Sequence, residues 1–313
     1  MKASETISTA IRAAKAQGQP AIVAYLTAGF PEPANFIELL RAIASVADVV
    51  EVGVPFTDPM ADGLTIQRSS RAALQKGVTL KWILQELRAF AANRGGGKAG
   101  ASTSQAASTE AKAPAPILLM SYLNPLLAYG LSKLAADAER AGVAGFIVPD
   151  LPYEESAELR AALDAQGLAL VQMVTPVTPP ERLKKLCAAG QGFNYAVTMT
   201  GTTGKSVSGA APLSEVNPAA LESNRSGETR RESGSAAAAT AQNAGGIPAQ
   251  VLDYMDRVRA VSPIPVCAGF GIRSREQVRR MAPHVDGVVV GSALVEVLER
   301  GEDPAAYLRS LRG

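Results

Sequence analysis

The chain has 313 residues, 47% of them hydrophobic, and its 31 basic and 29 acidic side chains leave a formal net charge of +2, enough apolar material for one large core. The charges are scattered, without the basic block or aromatic interleaving that tracks a nucleic-acid backbone. No stretch reaches the roughly 20 apolar residues of a membrane span, and Cys187 and Cys267 lack the company of a zinc site or disulfide scaffold, which suits a reducing cytoplasm.

In chain order, the run Thr6 to Gly18 carries Ile7, Ile11 and Ala14 at helical spacing and predicts an extra N-terminal amphipathic helix rather than a signal segment. Eight short apolar, β-branched runs follow, at 21–25, 48–52, 117–120, 145–148, 169–173, 193–197, 264–267 and 287–290. Runs apolar on both faces predict strands buried on both sides. The helical patterns between them, such as Ala34 to Ala44, Glu154 to Gln166 and Pro248 to Ala260, supply the crossovers that parallel strands require. Such a series predicts a closed (β/α)8 barrel, with an open doubly wound sheet as the alternative.

Two segments break the rhythm. Asn93 to Ala115 and Lys205 to Gly246 are rich in Ala, Gly, Ser, Thr and Asn and contain no aromatic residue. Such composition buries too little apolar surface to offset its ordering entropy. Both read as surface insertions, at about 93–115 and 205–246, in a single barrel domain spanning 1–313; without them the chain has the usual barrel size of roughly 250 residues.

Working residues of a barrel sit at the C-terminal strand ends and in the loops that follow. If Val50 and Val52 pack toward the helices, alternation turns Glu51 into the interior, where a carboxylate is costly unless paired in an ion pair or used in chemistry. The loop Gly53 to Gly63 then offers Asp58 and Asp62. Glu51 with Asp62 suits general acid/base work, whereas Asp58, before Pro59, is equally an Asx-type turn former. His284, the single histidine, falls before the eighth strand, on the structural face. No His/Cys ligand set stands at the strand ends, so a metal mechanism lacks ligands and no metal is expected; no cofactor is expected either. A Schiff-base lysine is also disfavoured, since the lysines other than Lys205 lie in helical, terminal or inserted segments.

Glycine-containing turns close the last three units: Gly201-Thr202-Thr203-Gly204, Gly269-Phe270-Gly271 and Gly291-Ser292-Ala293. Exposed N–H groups in such turns, backed by a helix N-terminus, make a phosphate site, although ordinary tight βα turns would look alike. Ser274 with Gln277 reads as a capping box opening the seventh helix.

These residues resemble the tryptophan synthase alpha subunit family. The resemblance runs through Pro20 to Gly29, the string Glu51-Val-Gly-Val-Pro-Phe-Thr-Asp-Pro-Met-Ala-Asp-Gly-Leu-Thr-Ile-Gln67, Met120 to Pro125, Pro149 to Glu155, Gly201 to Gly204, Gly269 to Ile272 and Val290 to Ala293. It implies a lyase of tryptophan biosynthesis that splits indole-3-glycerol phosphate into indole and glyceraldehyde 3-phosphate. By the resemblance, Glu51 is the acid/base carboxylate and Asp62 stabilises the ring N–H. Tyr195 lines the pocket, Thr203 belongs to a lid, and Gly204, Gly271, Gly291 and Ser292 hold the phosphate. Phe270 and Leu119 offer apolar surface to the indole. A pyridoxal-phosphate β subunit is the implied partner in an αββα assembly, facing the Pro55-Phe56 loop and the Tyr122 to Pro125 segment, with no pyridoxal site in this chain. The chain departs from the family after Gly204, where Lys205-Ser206-Val207 and the long insertion replace a short lid. Competing readings are another phosphate-binding barrel enzyme and a non-catalytic, partner-binding barrel.

Overall fold

The computed structural model describes residues 2–95, 114–198, 246–269 and 271–312. Eight strands run in chain order: β1 (Ala21–Thr27), β2 (Val49–Gly53), β3 (Ile117–Met120), β4 (Val143–Ile147), β5 (Ala169–Val174), β6 (Asn194–Val197), β7 (Val266–Gly269) and β8 (Gly287–Val290). Each pairs in parallel with the next, and β8 pairs with β1, so the expected closed barrel forms.

Strand alternation sorts the apolar residues into two cores. Val50 and Val52 belong to the outer core between strands and helices, while Val23, Val49, Leu118, Val171, Tyr195 and Cys267 belong to the interior one. The helix Ala3–Ala16 closes the interior from the N-terminal end by burying Ile7, Ile11 and Ala14. Ser4 N–H donates to Gly167 O at 3.1 Å, and Lys15 donates to Val285 O at 2.7 Å, fixing that plug to turns before β5 and β8. His284 lies at the same end, 2.8 Å from Asp256 Oδ1.

Element edges differ slightly from expectation. The N-terminal helix begins at Ala3, where a Lys2–Glu5 capping box starts it earlier than the apolar stripe alone indicates. The helix Leu80–Gly95 runs three residues into the segment read as the first insertion. At the other end of that segment Ala115 is buried in the outer core, so the surface reading does not extend to it; residues 96–113 and 205–245 lie outside the described residues. Among the described residues, no helix is long and apolar enough to cross a membrane, and no three His, Cys, Asp or Glu side chains form a metal-ligand group.

Candidate active site

Glu51 stands opposite Tyr25 in the β1/β2 register and is completely buried. Both carboxylate oxygens lack a hydrogen-bond partner. Burial without compensation penalises the charged form and pushes Glu51 up to about 8. At neutral pH the group therefore holds its proton.

Asp62 reaches the site from the loop after β2. That loop is tied down by Asp62 N–H donating to Pro59 O at 3.2 Å, and by Gln67 Nε2 donating to Asp62 O at 2.8 Å. Burial raises Asp62 to about 6, an effect opposed by a hydrogen bond from Tyr122. Two carboxyls two pH units apart can hold one proton and one negative charge together near pH 7. Asp58 is exposed, its side chain accepts from Thr57 Oγ1 at 2.6 Å, and its backbone carbonyl accepts the N–H of Met60 at 2.9 Å.

Two tyrosines roof the carboxylates by the same device. Tyr25 pairs with Glu51, and its ring leans up its strand across Gly53, where an added Cβ would lie 2.1 Å from the phenolic oxygen. Tyr195, on β6, leans likewise across Gly269, where a Cβ would lie 2.7 Å from the ring. Strand side chains lean along the strand direction, so glycine on the neighbouring strand is what gives each ring room. Tyr195 is held well above the usual phenol range, first by burial and then by the charge of Glu51.

A cavity opens beside these groups, lined by Tyr25, Val54, Asp62, Met120, Tyr122 and Pro149. The reading of Leu119 as an indole contact is corrected here. Leu119 pairs with Val52 and packs in the outer core, whereas Leu118 pairs with Glu51 and faces the interior. Met120, one residue on, lines the cavity instead. Sequence reasoning also left out Tyr25, which reads as one more apolar residue of a buried strand. It assigned Tyr122 only to a partner-facing segment. The Tyr122 ring stacks on Phe56 at 5.2 Å, joining the two segments assigned to the partner.

On the other side of the barrel mouth, Gly271 follows β7 with φ +70°, a left-handed conformation that glycine adopts without strain. Gly291 precedes the helix Ser292–Glu299 directly after β8. The first N–H groups of a helix have no partner within it and favour an anion, and Gly291 and Ser292 stand at such a helix start. Arg273 clamps the two turns together by a fork to Glu296 at 2.7 and 2.9 Å. The capping box of Ser274 and Gln277 is present. Thr203, Gly204 and Phe270 lie outside the described residues.

A family model described as tryptophan synthase alpha chain matches residues 11–219 and 234–311. A tryptophan synthase alpha chain of Desulfovibrio desulfuricans is 38% identical over 301 residues, covering 95% of this chain and 96% of its own. One from Nitratidesulfovibrio vulgaris strain DP4 is 36% identical, covering 96% and 95%. Among solved structures, a tryptophan synthase of M. tuberculosis in an open form superposes with a TM-score of 0.72 at 28% identity, over 98% of this chain and 96% of that one. A tryptophan synthase alpha subunit from Legionella pneumophila superposes with 0.73 at 26% identity, over 100% and 97%.

Proposed function

The chain belongs to the tryptophan synthase alpha chain family, lyases that cleave indole-3-glycerol phosphate to indole in tryptophan biosynthesis, and we propose that Glu51 and Asp62 carry that cleavage here. The single observation behind this assignment is the unpartnered, buried Glu51 carboxyl, which holds a transferable proton near neutral pH and has no structural partner to explain it.

In this mechanism Glu51 donates its proton to the ring carbon that bears the side chain. Asp62, ionised, accepts a hydrogen bond from the ring N–H and balances the positive charge that protonation creates. The Glu51 carboxylate then takes the proton of the hydroxyl next to the ring. The oxygen's electron pair forms the aldehyde carbonyl, and the pair of the breaking C–C bond returns to the ring. Indole and glyceraldehyde 3-phosphate leave with Glu51 protonated again. Ring protonation is the electron sink, so the step requires neither a metal nor an organic cofactor.

Gly271, Gly291 and Ser292 hold the phosphate in this reading, with Gly204 of the lid. Tyr195, Met120, Thr203 and Phe270 enclose the rest. Members of the family work with a β subunit. The Pro55-Phe56 loop and the Tyr122 to Pro125 segment face that partner in an αββα assembly, a reading supported by the Phe56–Tyr122 stack and by exposed Met60 in the loop after β2, Leu64 at the start of the helix Leu64–Gln75 and Leu127 in the helix Leu123–Tyr129. The single-domain reading of 1–313 with insertions at about 93–115 and 205–246 rests on composition, and a cytoplasmic location on the two free, buried cysteines.

The test is to supply the purified chain with indole-3-glycerol phosphate and follow both products. Indole and glyceraldehyde 3-phosphate in equal amounts is the expected result. A folded chain that binds the substrate and releases no indole overturns the assignment.

A further inference from the structure

Tyr25 bears a hydroxyl for which the proposed cleavage has no use. It approaches Thr27 Oγ1 at 3.3 Å, Thr27 Oγ1 lies 2.6 Å from Ser69 Oγ, and Ser69 Oγ lies 2.9 Å from the carbonyl oxygen of Ile66. Each hydroxyl owns one proton and the terminal carbonyl owns none. All three contacts are hydrogen bonds together in one arrangement alone: Ser69 donates to Ile66, Thr27 donates to Ser69, and Tyr25 donates to Thr27. The Tyr25 proton is thereby committed to Thr27, and what its oxygen has left to offer the cavity that the residue lines is a lone pair.

The position of that lone pair is equally fixed. The ring spans from the Glu51 level of the register to Gly53, and its oxygen sits where a side chain on Gly53 would stand. Tyr25 lines the cavity with Asp62. Its Cβ comes within 4.0 Å of where a Cβ on Gly291 would be, so the residue bridges the strand of the carboxylates and the strand of the proposed phosphate site. A substrate reaching from one to the other passes its middle portion over the Tyr25 oxygen.

We propose that Tyr25 is a specificity-determining residue of this site, whose oxygen accepts a hydrogen bond from a hydroxyl on the three-carbon chain of the substrate. The proposal rests on the lyase reading and deepens it. A neutral hydrogen bond made in both bound substrate and transition state changes KM more than kcat. It also selects for a ligand that carries the donor, because an acceptor left unpaired in a closed site is costly.

The probes are indole-3-glycerol phosphate and 3-indolylpropyl phosphate, the analogue in which both chain hydroxyls are replaced by hydrogen. For Tyr25→Phe, the expected result is a KM for the substrate raised about 3- to 10-fold with kcat within about 2-fold, the size of one neutral hydrogen bond. The Kd of the propyl analogue, by calorimetry, stays within about 2-fold of the parent's. Thr27→Val removes the acceptor of the Tyr25 proton and is expected to weaken the substrate selectively as well, while adding nothing when combined with Tyr25→Phe. Equal weakening of both ligands overturns the proposal in favour of ring packing, and no change in either overturns it outright. A parent chain that binds but does not cleave the substrate counts against the lyase reading alone. The same comparison, run as two equilibrium titrations, then still decides the role of Tyr25.

Discussion

The Tyr122 hydroxyl accepts the N–H of Ala61 at 2.9 Å and hydrogen-bonds the Asp62 carboxylate, so one phenol on the β3 side of the mouth sets both the position and the acidity of a carboxylate carried by the loop after β2.

Removing that hydroxyl has a signed consequence. The bond favours ionised Asp62 and opposes the burial that raises it to about 6. Tyr122→Phe is therefore expected to move the acid limb of the kcat/KM profile to higher pH. Activity should fall about 5- to 10-fold near pH 6.5, roughly one hydrogen bond to a charged group, and less at pH 8. A profile lowered equally at every pH would assign Tyr122 to loop position alone.

The parent profile follows from the same two carboxyls. The proposed cleavage needs Asp62 ionised and Glu51 protonated, so activity is expected to rise through about 6 and fall through about 8. These limbs belong to the pair as a coupled system. A plateau extending well above pH 9 in kcat/KM would contradict proton donation by Glu51.

Glu51→Gln separates activity from stability. The amide keeps the shape but has no transferable proton, and turnover is expected to drop at least about 100-fold with binding largely kept. Folded Glu51 titrates at about 8 rather than at its ordinary 4.5, so the folded chain binds the extra proton between those values. Its stability contribution is full below pH 4.5 and is lost as pH rises through 8. The variant should therefore unfold near the parent's temperature at pH 4.5. At pH 8 it should be the more stable protein, by on the order of a few kcal/mol. Thermal scans at both pH values decide this; a constant difference between the proteins would deny the raised value.

The barrel was legible in the sequence because its strands are buried on both faces and stand out as apolar runs, and Glu51 because a carboxylate inside such a run has no cheap explanation. What escaped depends on a single residue of phase. Leu118, Leu119 and Met120 are alike in hydropathy, and only the pairing of Glu51 with Leu118 tells which of them face inward. The β3/β4 register also shifts between Ile117 and Leu118. Tyr25 escaped for another reason. Its function depends on Gly53 and Thr27 being beside it in space, and the glycine that admits its ring lies on a different strand.

Gly53 offers a direct test of that packing. Gly53→Ala puts a methyl group 2.1 Å from the Tyr25 oxygen and 2.5 Å from the ring carbon that bears it, so the ring must move. Overpacking of this kind costs about 1–3 kcal/mol, and the displaced hydroxyl leaves Thr27. The expected outcome is a lower unfolding temperature together with a raised KM for the substrate. A variant unchanged in both would show that the ring moves aside freely and that the hydroxyl chain is unimportant.

Phe56 and Glu51 belong to one continuous segment, β2 and its loop, and Phe56 stacks on Tyr122, whose hydroxyl in turn holds Asp62. On the proposed docking, a β subunit pressing on Phe56 would act on both proposed catalytic carboxylates, through covalent chain on one side and a stacked ring on the other. The coupling between two such sites is usually about 1–3 kcal/mol, or 5- to 150-fold. The cleavage rate at saturating substrate is expected to rise within that range when a verified β subunit is added. Phe56→Ala breaks the stack without touching either carboxylate, so it should leave the isolated chain's turnover within a few-fold while most of the activation disappears. Titration of the partner distinguishes weakened association from lost coupling, since at saturating partner only lost coupling still lowers the plateau. Full activation of the variant at that plateau would mean that the signal reaches Asp62 by a route that bypasses Phe56.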